Sequence, residues 1–242
     1  MNRRLINGSA ASGFTLLELL IVIAIIAVLA VILIIVINPA ETLRKTRDAQ
    51  RISDTSTLKT SVGIFTTSTT TVYLAGASSN AGCKTGAGGG TYGAGSKVYY
   101  SLPSDGVGGA ITDTTLDGGV NPPLSAQVAT ASLNLTDSTG WLPIAFNSLT
   151  SGSPISNLPV DPVNQVNAIA GGSDTLGSIS NKSLMYRYAC NSTSLTYEID
   201  AVLESTEYTS GTNNKLVADG GNNSNYYEAG TNLLVLGAGT DI

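Results

Sequence analysis

Gly13-Phe14-Thr15-Leu16-Leu17-Glu18 runs without interruption into Leu19–Ile37, and this junction decides how the chain is read. Leu19–Ile37 is nineteen residues with no charged, polar, glycine or proline residue. At about 1.5 Å per residue it makes ~28 Å of apolar helix, enough to cross a bilayer core. One carboxylate, Glu18, stands at its front edge. A secretory signal peptide would have a shorter apolar run closed by a small-residue cleavage site. Here the distinctive residues come before the apolar run. Physically this is a membrane-anchoring helix, and Glu18 is either hydrated at the membrane boundary or paired.

Composition changes sharply on either side of that helix. The 242-residue chain carries 12 Lys and Arg against 17 Asp and Glu. Arg3, Arg4, Arg44, Lys45, Arg47, Arg51 and Lys59 lie early, so residues 60–242 keep five basic residues against thirteen acidic ones. An acidic remainder rich in Gly, Ser, Thr and Asn argues against nucleic-acid binding through a broad basic surface. There is no histidine, which removes Ser-His-Asp and Cys-His catalysis and imidazole metal sites. Cys83 and Cys190 both fall in this remainder, and a lone pair in an exported domain reads as a disulfide. Two unpaired buried cysteines are the alternative.

Residues 1–13 form a polar leader without apolar periodicity. After Ile37, Asn38-Pro39 predicts a kink or local loosening, because proline restricts the residue before it and lacks a backbone donor. Helix formers resume over 38–66, where Leu58, Val62 and Phe65 share one face and can dock it on the remainder. Glu41, Asp48 and Asp54 interleave with the basic residues there and either pair with them or share a solvated mixed-charge face. Gly63 and the Thr-rich run after it predict the end of the helix.

Residues 67–242 read as one domain of short strands and long loops. Lys97–Leu102 is strand-like, and Trp141–Phe146 reads as core or core edge. Leu158–Asn164 is a proline-braced loop. Met185–Cys190 and Leu195–Leu203 predict a hairpin about Asn191-Ser192-Thr193-Ser194, with Glu198 and Asp200 on the outer face of a half-buried strand. Leu233–Leu236 is expected to add a last short strand. The Gly88–Gly93 match to G-x-G-x-x-G is a plain loop, since a strand follows it where a dinucleotide site needs a helix. Asn134, Asn181 and Asn191 match the glycosylation acceptor pattern.

The front of the chain, Gly13-Phe14-Thr15-Leu16-Leu17-Glu18-Leu19 and onward, resembles the N-terminus of bacterial type IV prepilins and type II secretion pseudopilins over residues 13–37, and less closely to about residue 60. The resemblance implies cleavage after Gly13 by a prepilin peptidase and N-methylation of Phe14. It implies that Glu18, at the fifth mature position, pairs with the Phe14 amine of a neighbouring subunit during assembly. It implies an α+β pilin-like fold: residues 14–37 a transmembrane and filament-core helix, 38–66 its continuation packed on a small antiparallel sheet, and 67–242 an extracytoplasmic head. The family's proline near the twenty-second mature position is absent, and Asn38-Pro39 stands later. Leu158–Asn164 and the hairpin after it resemble the loop-then-hairpin of G-type pseudopilins.

The expected function is therefore structural, not enzymatic: a subunit of a type IV pilus or related filament. The alternatives are a pseudopilin of a secretion or DNA-uptake system, or an anchored extracellular binding domain that never assembles. The implied partners are other pilin subunits, the peptidase, an inner-membrane assembly platform and the membrane, with no nucleic acid. No cofactor is expected. Calcium is the open alternative, since Asp161 and Asn164, or Asp219, Asn222 and Asn223, offer oxygens but no ligand spacing. The positive-inside rule disagrees with an extracytoplasmic head, because more basic residues follow the helix than precede it. The leader motif outweighs it, as its peptidase acts at the cytoplasmic face.

Overall fold

In a computed structural model of the chain, residues 13–104, 111, 113, 116, 124–175 and 177–237 are described. The leader, apart from Gly13, lies outside these residues. The chain divides into two compact units, Met1–Leu43 and Arg44–Ile242.

The first unit is dominated by α1 (Leu16–Ile37), none of whose residues is buried. Thr15 caps its start and Asn38 its end. Asn38 takes a left-handed conformation (φ 42°), which asparagine tolerates better than most residues, and its N–H closes on the Ile34 carbonyl at 3.3 Å. Pro39 then occupies the first position of α2 (Pro39–Ser68), where its missing N–H costs nothing and its fixed φ suits a helix start. The loosening expected at Asn38-Pro39 is thus a one-residue break between two capped helices. The second helix also runs past Gly63 to Ser68. Thr66 and Thr67 hydroxyls donate back to the Gly63 carbonyl, both at 2.9 Å, so the threonines continue the helix instead of ending it.

In the second unit five strands form one sheet in the order β2-β1-β3-β4-β5. They are β1 (Lys97–Tyr100), β2 (Leu124–Ala126), β3 (Tyr186–Asn191), β4 (Thr196–Ala201) and β5 (Tyr227–Gly230). The expected hairpin is β3–β4, antiparallel with Arg187 opposite Asp200 and Asn191 opposite Thr196. Asn191 builds its turn by accepting the Thr193 and Ser194 N–H groups on Oδ1, at 2.8 and 3.3 Å. The sheet is mixed, not wholly antiparallel, because β2 pairs parallel to β1 at one edge. Leu233–Leu236 adds no strand, and the outer strand is instead β5, antiparallel to β4. Val235 and Leu236 are buried as packing side chains under the sheet.

Alternation along the strands sends side chains to two cores. On one face, Tyr99, Tyr186, Tyr188, Tyr197 and Ile199 meet Leu58, Val62 and Phe65 of α2, the docking triplet read from sequence, together with Trp141, Leu142, Ile144 and Phe146. Phe65 and Phe146 cross edge to face with centroids 5.8 Å apart. On this face two buried tyrosine hydroxyls offset their burial with hydrogen bonds: Tyr188 donates to the Leu74 carbonyl (2.9 Å) and Tyr197 to the Lys59 carbonyl (2.8 Å). The other face carries Val98, Tyr100, Met185 and Ala189 against Tyr92, Ile179, Val235 and Leu236. This second core corrects the half-buried reading of β4. With the Tyr92 loop and the Val235-Leu236 segment covering that face, Glu198 and Asp200 are fully buried.

Cys83 and Cys190 are joined by a disulfide, Cα atoms 4.7 Å apart, closing a separation of 107 residues. It pins the loop before β1 to the end of β3, where the Lys84 N–H also donates to the Cys190 carbonyl at 2.7 Å.

Candidate functional site

The residues singled out by sequence at the front of the chain lie together in the first turn of α1. Thr15 is extended (φ −78°, ψ 151°) and forms a capping box with Glu18. The Thr15 N–H donates to Glu18 Oε2 at 2.8 Å and the Thr15 hydroxyl to the same oxygen at 2.9 Å. The Glu18 N–H donates to the Thr15 hydroxyl at 3.2 Å. The arrangement satisfies helix-end donors and sets a carboxylate against the positive end of the helix. Phe14 is 83% exposed, and Leu19–Ile37 presents an unbroken apolar surface with no buried residue. A helix so apolar on every side is suited to lipid or to other apolar helices, not to water. Gly13 and Phe14 are both exposed, and a Cβ added at Gly13 would meet nothing within 4 Å among the described residues.

In the second unit α2 turns part of its charge inward, while Arg44 and Lys59 stay exposed. Asp48 and Arg51 are fully buried. The Arg51 guanidinium grips Asp161 with two bonds, Nε to Oδ2 at 2.6 Å and Nη2 to Oδ1 at 3.0 Å. Its Nη1 donates to Asp48 Oδ1 and to Glu204 Oε1, both at 2.8 Å. Arg47 adds a second fork to Glu204 at 2.6 and 2.7 Å. Asp48 also accepts the Glu204 and Ser205 N–H groups, and Asp161 those of Val163 and Asn164. Burial works against the charge of Arg51, but Asp161, Glu204 and Asp48 overcome it and hold the guanidinium more firmly protonated than an ordinary arginine. Burial likewise raises the Glu204 carboxyl, yet Arg47 and Arg51 outweigh it and hold it below the usual range. Burial raises Asp54, against the pull of the Tyr186 hydroxyl 2.9 Å away.

The oxygens of the two calcium sets read from sequence have protein partners in this structure. Asp161 is engaged by Arg51, and Asn164 exchanges bonds with Ser101 at 2.8 and 2.9 Å. Asp219 accepts the Gly221 and Glu228 N–H groups. Asn222 and Asn223 lie instead against Glu228. A different acidic group, missed from sequence, is buried nearby: Glu198, Asp200 and Glu228. Burial pushes all three carboxyls up. Among the three acceptor-pattern asparagines, Asn191 is fully buried and donates its amide to the Gly86 carbonyl at 3.0 Å, which leaves no room for a sugar.

An apolar, capped N-terminal helix and a small mixed-sheet α+β domain give a pilin-like architecture. Residues 8–34 match the family model of the prokaryotic N-terminal methylation motif, so the chain carries the prepilin-type signature. No curated protein and no solved structure matches the chain. The motif marks a type IV pilin- or pseudopilin-like protein, anchored in the membrane through α1. It implies processing by a peptidase and assembly with other pilin-type subunits, and the family that carries this motif is structural.

Proposed function

We propose that this chain is a structural subunit of a type IV pilus or related filament, cut between Gly13 and Phe14 and N-methylated on Phe14. The observation that carries this reading is the methylation motif at residues 8–34 placed directly on a fully exposed apolar helix with Glu18 in its first turn. Before assembly the helix is stored in the membrane. On assembly it joins the filament core, and Glu18 pairs with the Phe14 amine of a neighbouring subunit. A carboxylate in apolar surroundings is costly unless paired, so the pair specifies register as well as attraction. The head is extracytoplasmic, on a surface pilus or a periplasm-spanning filament, and the assembly platform and prepilin peptidase are its partners.

A second reading, a pseudopilin of a secretion or DNA-uptake system, is favoured by one feature. Leu158–Asn164 leads into the β3–β4 hairpin in the manner of G-type pseudopilins. The two readings share processing and the Glu18 pair, and they separate on filament length. Mass spectrometry of the mature protein tests the shared claim. The expected N-terminus is methylated Phe14, and a chain starting at Met1 in cells with active prepilin peptidase would overturn it. Glu18→Ala is expected to leave the protein in the membrane and unassembled, and ordinary filaments built from that variant would refute the role of Glu18.

A further inference from the structure

The three buried carboxylates of the outer sheet are set where a sheet should not place them. In the β4–β5 register Asp200 stands directly opposite Glu228, and Glu198, opposite Gly230, lies two residues along on the same face. Like charges opposed across strands repel, and here they do so away from water: Glu198 and Asp200 have no exposed surface and Glu228 is 2% exposed. One oxygen from each lies within 4.8 Å of the other two.

Donors outside the group hold each carboxylate in place. Arg187, opposite Asp200 on β3, donates to Asp200 Oδ2 through Nε at 2.8 Å, with Nη2 also 2.8 Å away. The Leu236 N–H donates to Glu198 Oε2 at 2.7 Å. The Asn223 N–H donates to Glu228 Oε2 at 2.8 Å, and the Asn222 amide, oriented to donate, reaches Oε1 at 3.1 Å. Gly221 packs so closely on the Glu228 carboxylate that an added Cβ would overlap it.

A second observation points to something missing. Glu198 Oε1 and Asp200 Oδ1 are buried and have no hydrogen-bond partner among the described residues. Buried carboxylate oxygens without a donor are expensive. The guanidinium of Arg187 is divided between Asp200 and Asp113, whose Oδ2 lies 3.0 Å from Nη1, so its charge is already matched twice. Lys84 turns its ammonium to the Val235 carbonyl at 2.6 Å and over the Tyr92 ring.

We propose that Glu198, Asp200 and Glu228 hold one hard divalent cation of the calcium class between β4 and β5. The donor set is all oxygen and anionic, which suits a hard cation and not a thiolate- or imidazole-seeking metal. Oxygens up to 4.8 Å apart fit around one ion with metal–oxygen bonds of about 2.3–2.6 Å, the calcium range. The cation gives the unpartnered oxygens a positive charge to coordinate and turns the Asp200–Glu228 repulsion into a cross-strand bridge. It thereby fastens β5, the Asp219–Asn225 loop that covers Glu228, and the Leu236 segment that covers Glu198.

The test uses the full chain in detergent at pH 7.5. Elemental analysis and calcium titration after chelator treatment read the stoichiometry, and thermal melts are run in 5 mM calcium, 5 mM magnesium or chelator. One calcium per chain is expected, with a melt several degrees higher in calcium than in chelator and a smaller shift in magnesium. Glu198→Gln and Glu228→Gln are expected to lose that response, while Asp174→Asn, whose carboxylate serves Ser180 and Ser183, keeps it. If the glutamine variants do not fold, wild-type stoichiometry decides. No retained metal and no calcium-dependent shift means that the triad holds only protons, and overturns the proposal. So does calcium bound at several sites per chain, or bound undiminished by the glutamine variants.

Discussion

Arg51 is the residue on which the attachment of α2 to its domain can be tested most sharply. It is fully buried, and its guanidinium contacts Asp161, Asp48 and Glu204, which come from three separate segments. Arg51→Met keeps most of the side-chain length and removes all four bonds. The cost is not the attraction lost but the charges left behind: Asp48 and Asp161 remain at zero exposure without a cation. Breaking a buried ion pair from one side costs about 3–5 kcal/mol. Backbone N–H groups still reach both aspartates, which holds the loss towards the lower end of that range. In a domain of this size each kcal/mol moves the melting midpoint by about 2–4 °C, so a fall of roughly 6–20 °C is expected. Arg51→Lys keeps the charge but not the planar fork that serves three acids at once, and should fall between wild type and Arg51→Met. The assay is thermal unfolding of the full chain in detergent, followed by near-ultraviolet circular dichroism. An Arg51→Met midpoint within 2 °C of wild type would refute the reasoning, and so would a loss no greater than that of Arg51→Lys.

Two more predictions concern the same domain. The Glu204 carboxyl is held below its usual range by Arg47 and Arg51 against burial, so its contribution is present above the unfolded pKa of about 4.3 and is lost as pH falls through the lower folded value. Melting midpoints measured from pH 7 to pH 3 should therefore fall less steeply below about pH 4.5 in Glu204→Gln than in wild type, although the variant is less stable at pH 7; parallel curves would show that Glu204 carries none of the acid limb. Replacing both cysteines, Cys83→Ala with Cys190→Ala, frees a loop spanning 107 residues and should cost about 4–5 kcal/mol in the chain-entropy model, read as a lower denaturant midpoint; an unchanged midpoint would mean that the loop is already restrained in the unfolded chain.

What the sequence disclosed follows the range over which each signal acts. The apolar run and the Leu58, Val62, Phe65 face are local patterns, and each is visible within a few turns of helix. The β3–β4 hairpin is local too, with its turn written in Asn191. β2 is three residues, Leu124-Ser125-Ala126, with no alternation to betray it, and it exists because β1 offers it an edge. β5 contains a buried glutamate and ends in glycine, both poor advertisements for a strand. The Arg51 network was illegible for a related reason. Two of its acids lie 110 and 153 residues away along the chain, and the third, Asp48, stands at a three-residue spacing that an exposed helix pair also shows. Glu198 and Asp200 read as outer-face residues because the Tyr92 loop carries no strand or helix period and Val235-Leu236, strand-like in sequence, packs over that face instead of joining the sheet.

The front of the chain poses a problem that its own geometry goes some way to answer. If α1 waits in the membrane before assembly, Glu18 must be tolerated there without a partner subunit. Thr15 supplies two donors to it, the backbone N–H and the hydroxyl, and both fall on Oε2. A carboxylate hydrogen-bonded by its own helix start is cheaper to keep at an apolar boundary than a bare one. Because both bonds use one oxygen, Oε1 stays available for an amine from another chain. In the proposed assembly the capping box therefore need not break for the intermolecular pair to form. Cleavage before Phe14 would place the new amine one residue ahead of the cap, at the positive end of the helix, where an unpaired cation is disfavoured. Storage and assembly then differ by a single added contact on Glu18, and the driving force for that contact comes from both sides: a carboxylate half satisfied, and an amine held where only a carboxylate relieves it.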